Sequence, residues 1–244
     1  VGDGLTPTVI PAGDISFKKT LTGAFNIDVN TAANTLFNGN VNIAQLATDS
    51  AGTVQINAAT VTTTGTQTYN DALTLLNGTV LSSTGAGALG DISFLNTIDG
   101  NKSLTVNTAG TTLFDKAVSI GQLTTDSAGK VQINAPTVTT TGTQTYNDAL
   151  TLLNNTTLAS TGPAATADIT FNSTVDGTKT LTVNTAGITT FTGAVGNTAA
   201  LMSLTTDAAG TTNVNGALVK TISSQTFNDD VVVGQHTIFN SVGD

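Results

Sequence analysis

The chain repeats itself, and the repeat constrains its fold more than any other feature. Residues 46–76 read LATDSAGTVQINAATVTTTGTQTYNDALTLL, and residues 123–153 read LTTDSAGKVQINAPTVTTTGTQTYNDALTLL. Three of these 31 positions differ, and the offset is 77 residues. Units this alike must bury their apolar faces in one shared geometry. Two architectures do that: a solenoid, in which successive coils stack, or a row of similar beads.

The same 77-residue step carries Asp14-Ile15-Ser16-Phe17 to Asp91-Ile92-Ser93-Phe94 and to Asp168-Ile169-Thr170-Phe171. It carries Val29-Asn30-Thr31-Ala32 to Val106-Asn107-Thr108-Ala109 and to Val183-Asn184-Thr185-Ala186, and Phe37 to Phe114 and Phe191. The last step is looser. Tyr69 and Tyr146 correspond to Phe227 at a step of 81, because Gly196–Ser203 holds about four extra residues. The final Thr237-Ile238-Phe239-Asn240-Ser241 is expected to restart the phrase Ile169-Thr170-Phe171-Asn172-Ser173. The chain is expected to be one continuous array over 1–244, with partial units 1–45 and 204–244 flanking units 46–122 and 123–203. Neither end reads as a polar cap, which implies a piece of a longer array.

Composition sets the secondary structure. Of 244 residues, 52 are Thr and 23 are Asn, while Glu and Arg are absent. Thr and Val favour strands, Asn, Asp and Gly favour corners, and two good helix formers are missing. Short segments such as Val131-Gln132-Ile133-Asn134 alternate apolar and polar, the pattern of a half-buried strand. Recurrent Val, Ile, Leu and Phe, with a mean hydropathy of +0.16, argue against disorder. An all-β fold follows.

A finer echo favours the solenoid. Leu104–Gly110 resembles Leu123–Gly129 at a step of 19, and a further step of 20 reaches Thr143-Gln144-Thr145. The expected fold is a parallel β-helix (β-solenoid) with about four coils in each 77-residue unit. About 13 coils at about 4.8 Å would make a rod on the order of 60 Å long. The alternative is a row of β-sandwich domains, Ig-like or jelly-roll. Aromatic residues are only 5% of the chain, few for sandwich cores.

The phrases TVTTTGTQTYNDALTL, SLTVNTAGTT and DITFNSTVDG resemble the β-strand repeats of very large bacterial surface and secreted proteins, similar to filamentous-haemagglutinin-type adhesins. The resemblance covers nearly the whole chain and is specific to the repeat class, not to a ligand. It implies an elongated β-helical stalk, adhesin or matrix component, extracellular or on a bacterial cell surface. It carries no catalytic motif.

A net charge of −9 disfavours nucleic acid and anionic membrane as partners. No run of 18 apolar residues is present, so no helical membrane insertion is expected. Cys is absent, so no disulfide staples the fold. The opening Val1-Gly2-Asp3-Gly4 has no basic signal-peptide region.

Chemistry-bearing residues are sparse. His236 is the only histidine and has no evident partner. Acid–base work needs a positioned group with a shifted pKa, and nucleophilic work needs Ser or Cys beside a base. The chain is therefore not expected to be an enzyme; a polysaccharide-acting β-helix enzyme, resting on Asp229, Asp230 or His236, is the weakest reading. Calcium is the one metal considered, since hard cations take Asp and carbonyl oxygens. Asp229 and Asp230, the one adjacent acidic pair, are its candidate ligands. The recurrent Asp49, Asp126 and Asp207, and Asp71 and Asp148, read as turn aspartates bonded to their own backbone.

Two binding ideas remain. Thr64-Gly65-Thr66-Gln67-Thr68 and Thr141-Gly142-Thr143-Gln144-Thr145 match a Thr-x-Thr ice-binding pattern locally. Tyr69, Tyr146 and Phe227 fit either the core or a sugar-stacking platform, with the core favoured. The expected role is a self-associating structural stalk or filament segment. A glycan- or ice-binding adhesin module is the alternative.

Overall fold

The computed structural model describes residues 13–243; the opening Val1–Gly4 and Asp244 lie outside them. Those residues form a stack of short parallel strands with no α-helix among them, a β-solenoid of about 11 coils. Each coil has three strand positions, so the rod has three faces. The first coil sets them: Ile15–Phe17 on face 1, Leu21–Thr22 on face 2 and Asn26–Val29 on face 3. Every strand pairing is parallel to the strand one coil away, as in Phe17 with Phe37 and Val29 with Thr48.

Faces 1 and 2 merge into one 20-stranded ladder, because Ile98–Thr108 and Val118–Thr125 run on around a corner. Face 3 is an eight-stranded ladder. Single bridges through Val175, Val195 and Val219 continue it to the pair Leu218–Thr221 and Ile238–Ser241. The thinning lies beside the insertion at Gly196–Ser203. Asp176 holds that insertion by accepting hydrogen bonds from the Thr198 and Ala199 amides at 2.8 and 3.0 Å.

The alternation read in the sequence is the alternation of burial. Val131 and Ile133 point inward, Lys130 and Gln132 outward. One apolar cluster runs the length of the rod from Val29 to Val219. Each coil buries little alone, and stacking makes the core continuous.

The structure sharpens the coil count. A 77-residue unit spans eleven strand positions, which is three and two-thirds coils of 21 residues on average, rather than four of 19. Most coils do advance by 19 or 20, as from Phe37 to Ile56 or from Ile120 to Thr140. Two coils advance by 25, from Thr74 to Asp99 and from Ser160 to Thr185. These hold the 3-10 corners Gly87–Gly90 and Ala164–Thr166.

The missing third of a coil rotates every unit onto a new face. Phe37 lies on face 1, Phe114 on face 3 and Phe191 on face 2. Aromatic rings therefore form three separate stacks: Phe17–Phe37, Tyr69–Phe94–Phe114 and Tyr146–Phe171–Phe191. Their centroids lie 4.9–5.4 Å apart. That is close to the strand spacing, so the ladder itself imposes the ring separation.

The end of the chain is in a different phase from the one the sequence suggested. Ser241 donates to the Ser223 carbonyl, as Ser160 does to Gly142 and Ser83 to Gly65. Ile238–Ser241 is thus the counterpart of Thr157–Ser160, not of Ile169–Ser173. The apparent match came from Ile-x-Phe-Asn-Ser sharing the generic strand alternation.

Candidate functional site

The densest polar structure is a corner that recurs once per unit. In the second unit it joins Thr125-Asp126 to Asn147-Asp148, one coil on. Thr125 Oγ1 donates to Asp148 Oδ1 at 2.7 Å and accepts from the Asn147 amide at 3.3 Å. Asn147 Nδ2 donates to the Thr125 carbonyl at 2.6 Å. Asp126 Oδ1 accepts from the Thr108 amide at 3.1 Å, tying in a third coil. The other two corners repeat most of these contacts: Asn70 bonds Thr48 through its amide and Nδ2 while Asp49 accepts from the Thr31 amide, and Thr206 donates to Asp229 while Asn228 Nδ2 donates to the Thr206 carbonyl and Asp207 accepts from the Thr185 amide. The three corners sit on three different edges of the rod, because each unit rotates by one face.

Asp148 is 3% exposed and Asp71 is 2% exposed. One oxygen of each, Asp148 Oδ2 and Asp71 Oδ1, has no hydrogen-bond partner. Burial pushes the Asp148 carboxyl up to about 6; nearby Asp126 adds to the rise and the Thr125 hydroxyl opposes it. Burial likewise raises Asp71, against the Thr48 hydroxyl and with Asp49. Asp229 differs. Thr212 stands where the other units have Val54 and Val131, and its hydroxyl donates to Asp229 Oδ2 at 2.8 Å.

A second recurrent bracket lies inside the Thr-Gly-Thr-Gln-Thr phrase, and the sequence reading missed it. Gln144 is fully buried; its Nε2 donates to the Val138 and Ala159 carbonyls at 3.1 and 2.8 Å. Its Oε1 accepts the Tyr146 hydroxyl at 2.9 Å. Gln67 and Tyr69 do the same. Tyr69 and Tyr146 are core residues with no exposed ring face. The sequence signal was the strict retention of Gln two residues before Tyr or Phe. The two Thr-rich phrases turn different corners: Thr64–Thr68 leads from face 2 to face 3, and Thr141–Thr145 from face 1 to face 2.

Of the other candidates, Asp229 is half-buried against Thr206 and Thr212, while Asp230 is exposed at the start of the strand Asp230–Val233. His236 is exposed in the corner before Ile238–Ser241. Among the described residues no three His, Cys, Asp or Glu side chains gather as a metal-ligating group. One concavity is a shallow groove of about 450 Å³ lined by Asn101, Lys102, Ser103, Gln122 and Thr141. It lies where the pairing of Ile98–Thr108 with Val118–Thr125 shifts register between Gly100 and Ser103. Thr141 Oγ1 donates to Asn101 Oδ1 there at 2.8 Å. Compared with known protein families, curated proteins and solved structures, the chain matches none of them.

Proposed function

We propose that this chain is a structural rod segment, a stalk or filament element of a bacterial extracellular surface, adhesin or matrix assembly. The observation that carries the reading is the uninterrupted stack in which each 77-residue unit advances three and two-thirds coils. Such an array lengthens by adding units, and each unit stacks on the last through the same contacts. Successive units also present their corners on successive faces, so the rod offers similar surfaces on all sides. Its acidic, Thr- and Asn-rich exterior suits a hydrated, non-sticking shaft. Its work is mechanical: fixed length, stiffness and repeated contacts with its own kind.

Immunogold microscopy of the producing cells tests the location. Label outside the envelope is the expected result, and label confined to the cell interior would contradict it. Solution scattering tests the shape: about 11 coils at about 4.8 Å require a rod roughly 53 Å long.

A glycan-binding adhesin is the second reading, and the groove at Asn101–Thr141 is what favours it. A glycan array that is silent for the protein would remove it. Ice binding asks for one flat Thr face repeated on nearly every coil, whereas the two Thr-rich phrases lie on different corners.

A further inference from the structure

An asparagine can react with its own backbone. The amide nitrogen of the next residue attacks the asparagine Cγ, the carboxamide nitrogen leaves as ammonia, and a succinimide ring closes. Water then opens either ring carbonyl and leaves aspartate or isoaspartate. Two conditions favour the first step. The attacking nitrogen must already lie against the carboxamide, and the next residue must carry no Cβ to crowd it.

Sequence and geometry each select a set of candidates. The Asn-Gly pairs are Asn38-Gly39, Asn77-Gly78 and Asn215-Gly216. Three asparagines turn their carboxamide onto the following amide. The Gly78 amide donates to Asn77 Oδ1 at 2.9 Å, the Thr97 amide to Asn96 Oδ1 at 2.9 Å, and the Asn155 amide to Asn154 Oδ1 at 2.8 Å. Asn77 alone belongs to both sets.

The other two Asn-Gly pairs are held away from reaction. Asn38 Oδ1 accepts from Asn57 Nδ2, one coil on, at 2.6 Å, and Gly39 is packed so tightly that a Cβ there would meet the Lys19 carbonyl. The Gly216 amide donates to the Phe191 carbonyl at 3.1 Å, and a Cβ on Gly216 would meet the Gly193 carbonyl. Around Gly78, among the described residues, a Cβ would meet only the Ser103 hydroxyl, the movable end of a side chain. Asn77 is exposed, so water reaches it. We infer that Asn77-Gly78 is a self-modifying site, which loses ammonia and takes up water to become aspartate or isoaspartate with no other reagent.

The second unit carries a natural control. Asn154-Asn155 stands where the first unit has Asn77-Gly78, with the same approach of amide to carboxamide. The Asn155 Cβ crowds the attacking nitrogen, and Asn155 Oδ1 accepts from the Thr180 amide at 3.0 Å, which fixes that corner. One of two matching corners is therefore reactive.

The reaction changes the corner between the strands Ala72–Leu75 and Thr79–Ser83. Either product adds a negative charge. Isoaspartate also routes the backbone through the side chain, which lengthens it by one methylene and turns the former backbone carbonyl into a free carboxylate. The buried Thr79 hydroxyl donates to that carbonyl at 3.2 Å. Stability is then lost at this corner as the segment ages.

Incubation of the full chain in mildly alkaline buffer, followed by peptide mapping with mass spectrometry, tests the site. In the folded chain Asn77 should convert about tenfold or more faster than Asn38, Asn215, Asn96 or Asn154. In concentrated urea the three Asn-Gly pairs should converge on similar rates. Asn155→Gly should raise conversion of Asn154 toward that of Asn77, and Gly78→Ala should remove the lead of Asn77. Circular dichroism retaining the β signal establishes that each variant is folded. Aged wild type should unfold at lower urea than Asn77→Asp, which carries the charge without the added methylene. Asn38 or Asn215 converting as fast as Asn77 in the folded chain, or no acceleration at Asn154 in folded Asn155→Gly, overturns the site. A lead of Asn77 that survives in urea overturns the role of the fold in selecting it. Aged wild type as stable as fresh Asn77→Asp overturns the loss of stability at the corner.

Discussion

Phe114 stacks on Phe94 at 5.2 Å, and not on Phe37, its own counterpart one unit earlier. Counterparts in sequence are thus neighbours in phase but not in space. Phe37 instead stacks on Phe17, on another face. The rod is held by contacts between unlike parts of adjacent units, which makes each unit depend on its neighbour being in phase.

That dependence predicts the effect of deletion. Removing residues 46–122 joins Gln45 to Leu123, which takes the place of Leu46 in the same phase. The shortened chain should fold cooperatively and lose about 18 Å of length, from about 3.7 coil spacings. Removing only residues 45–57 takes out two strand positions, Gln45–Thr48 and Thr53–Ile56, which is two-thirds of a coil, so unlike phrases stack on one another and thermal unfolding should be broad or absent by circular dichroism.

The Gln144–Tyr146 bracket should respond to loss of one hydroxyl. Tyr146→Phe leaves buried Gln144 Oε1 without its donor. The expected cost is about 1–3 kcal/mol in urea unfolding. Phe227→Tyr, beside the half-buried Gln225, should change stability much less.

Acidification should stabilise the rod over part of the pH range. Asp148 holds its proton up to about 6 in the folded chain, against an ordinary value of 3.8. The folded state therefore binds more protons than the unfolded state between those values, and stability falls as pH rises through them. The penalty at pH 7 is on the order of 3 kcal/mol from that shift. Asp71 and Asp126 are pushed the same way by burial. Asp115, lowered by hydrogen bonds from Lys116 and Asn134, acts in the opposite sense only at lower pH. The melting temperature should rise from pH 7 to pH 4.5, and Asp148→Asn should flatten the rise. Val131→Thr should flatten it too, by offering Asp148 the hydroxyl that Thr212 gives Asp229. An unchanged slope in both variants would contradict the account of this corner.

Gly129 marks the sharp corner after Asp126. Its φ is +103°, and a Cβ there would meet the Gly110 carbonyl. Gly129→Ala should cost roughly 1–2 kcal/mol from the left-handed backbone alone, and more from the clash. Gly13→Ala, in open space, should cost little by the same urea titration.

Much of this fold was legible in the sequence. The strand alternation, the parallel stack and the local step of 19 from Leu104 to Leu123, a true strand pair, all followed from residue pattern. The fractional number of coils did not. It depends on how many residues the corners at Gly87–Gly90 and Ala164–Thr166 absorb, and corner length leaves no periodic signal. The buried corner was half legible. The recurrence of Asp71 and Asp148 was plain, but turn aspartates and buried aspartates share one phrase. Only the coil one step away, with Thr48 or Thr125, decides which they are.

The central claim is that a unit advances three and two-thirds coils, and paired cysteines test it directly, since the chain has none of its own. Thr74 pairs with Asp99, while Thr68 pairs with Ser93. Four even coils of 19 would instead set Thr74 beside Ser93. Partner positions on adjacent strands lie about 4.8 Å apart, within the reach of a disulfide. Under mild oxidation Thr74→Cys with Asp99→Cys should cross-link, and Thr74→Cys with Ser93→Cys should remain reduced. Cross-linking of the Ser93 pair with none in the Asp99 pair would contradict the fold's phase, and with it the rotation of each unit onto a new face.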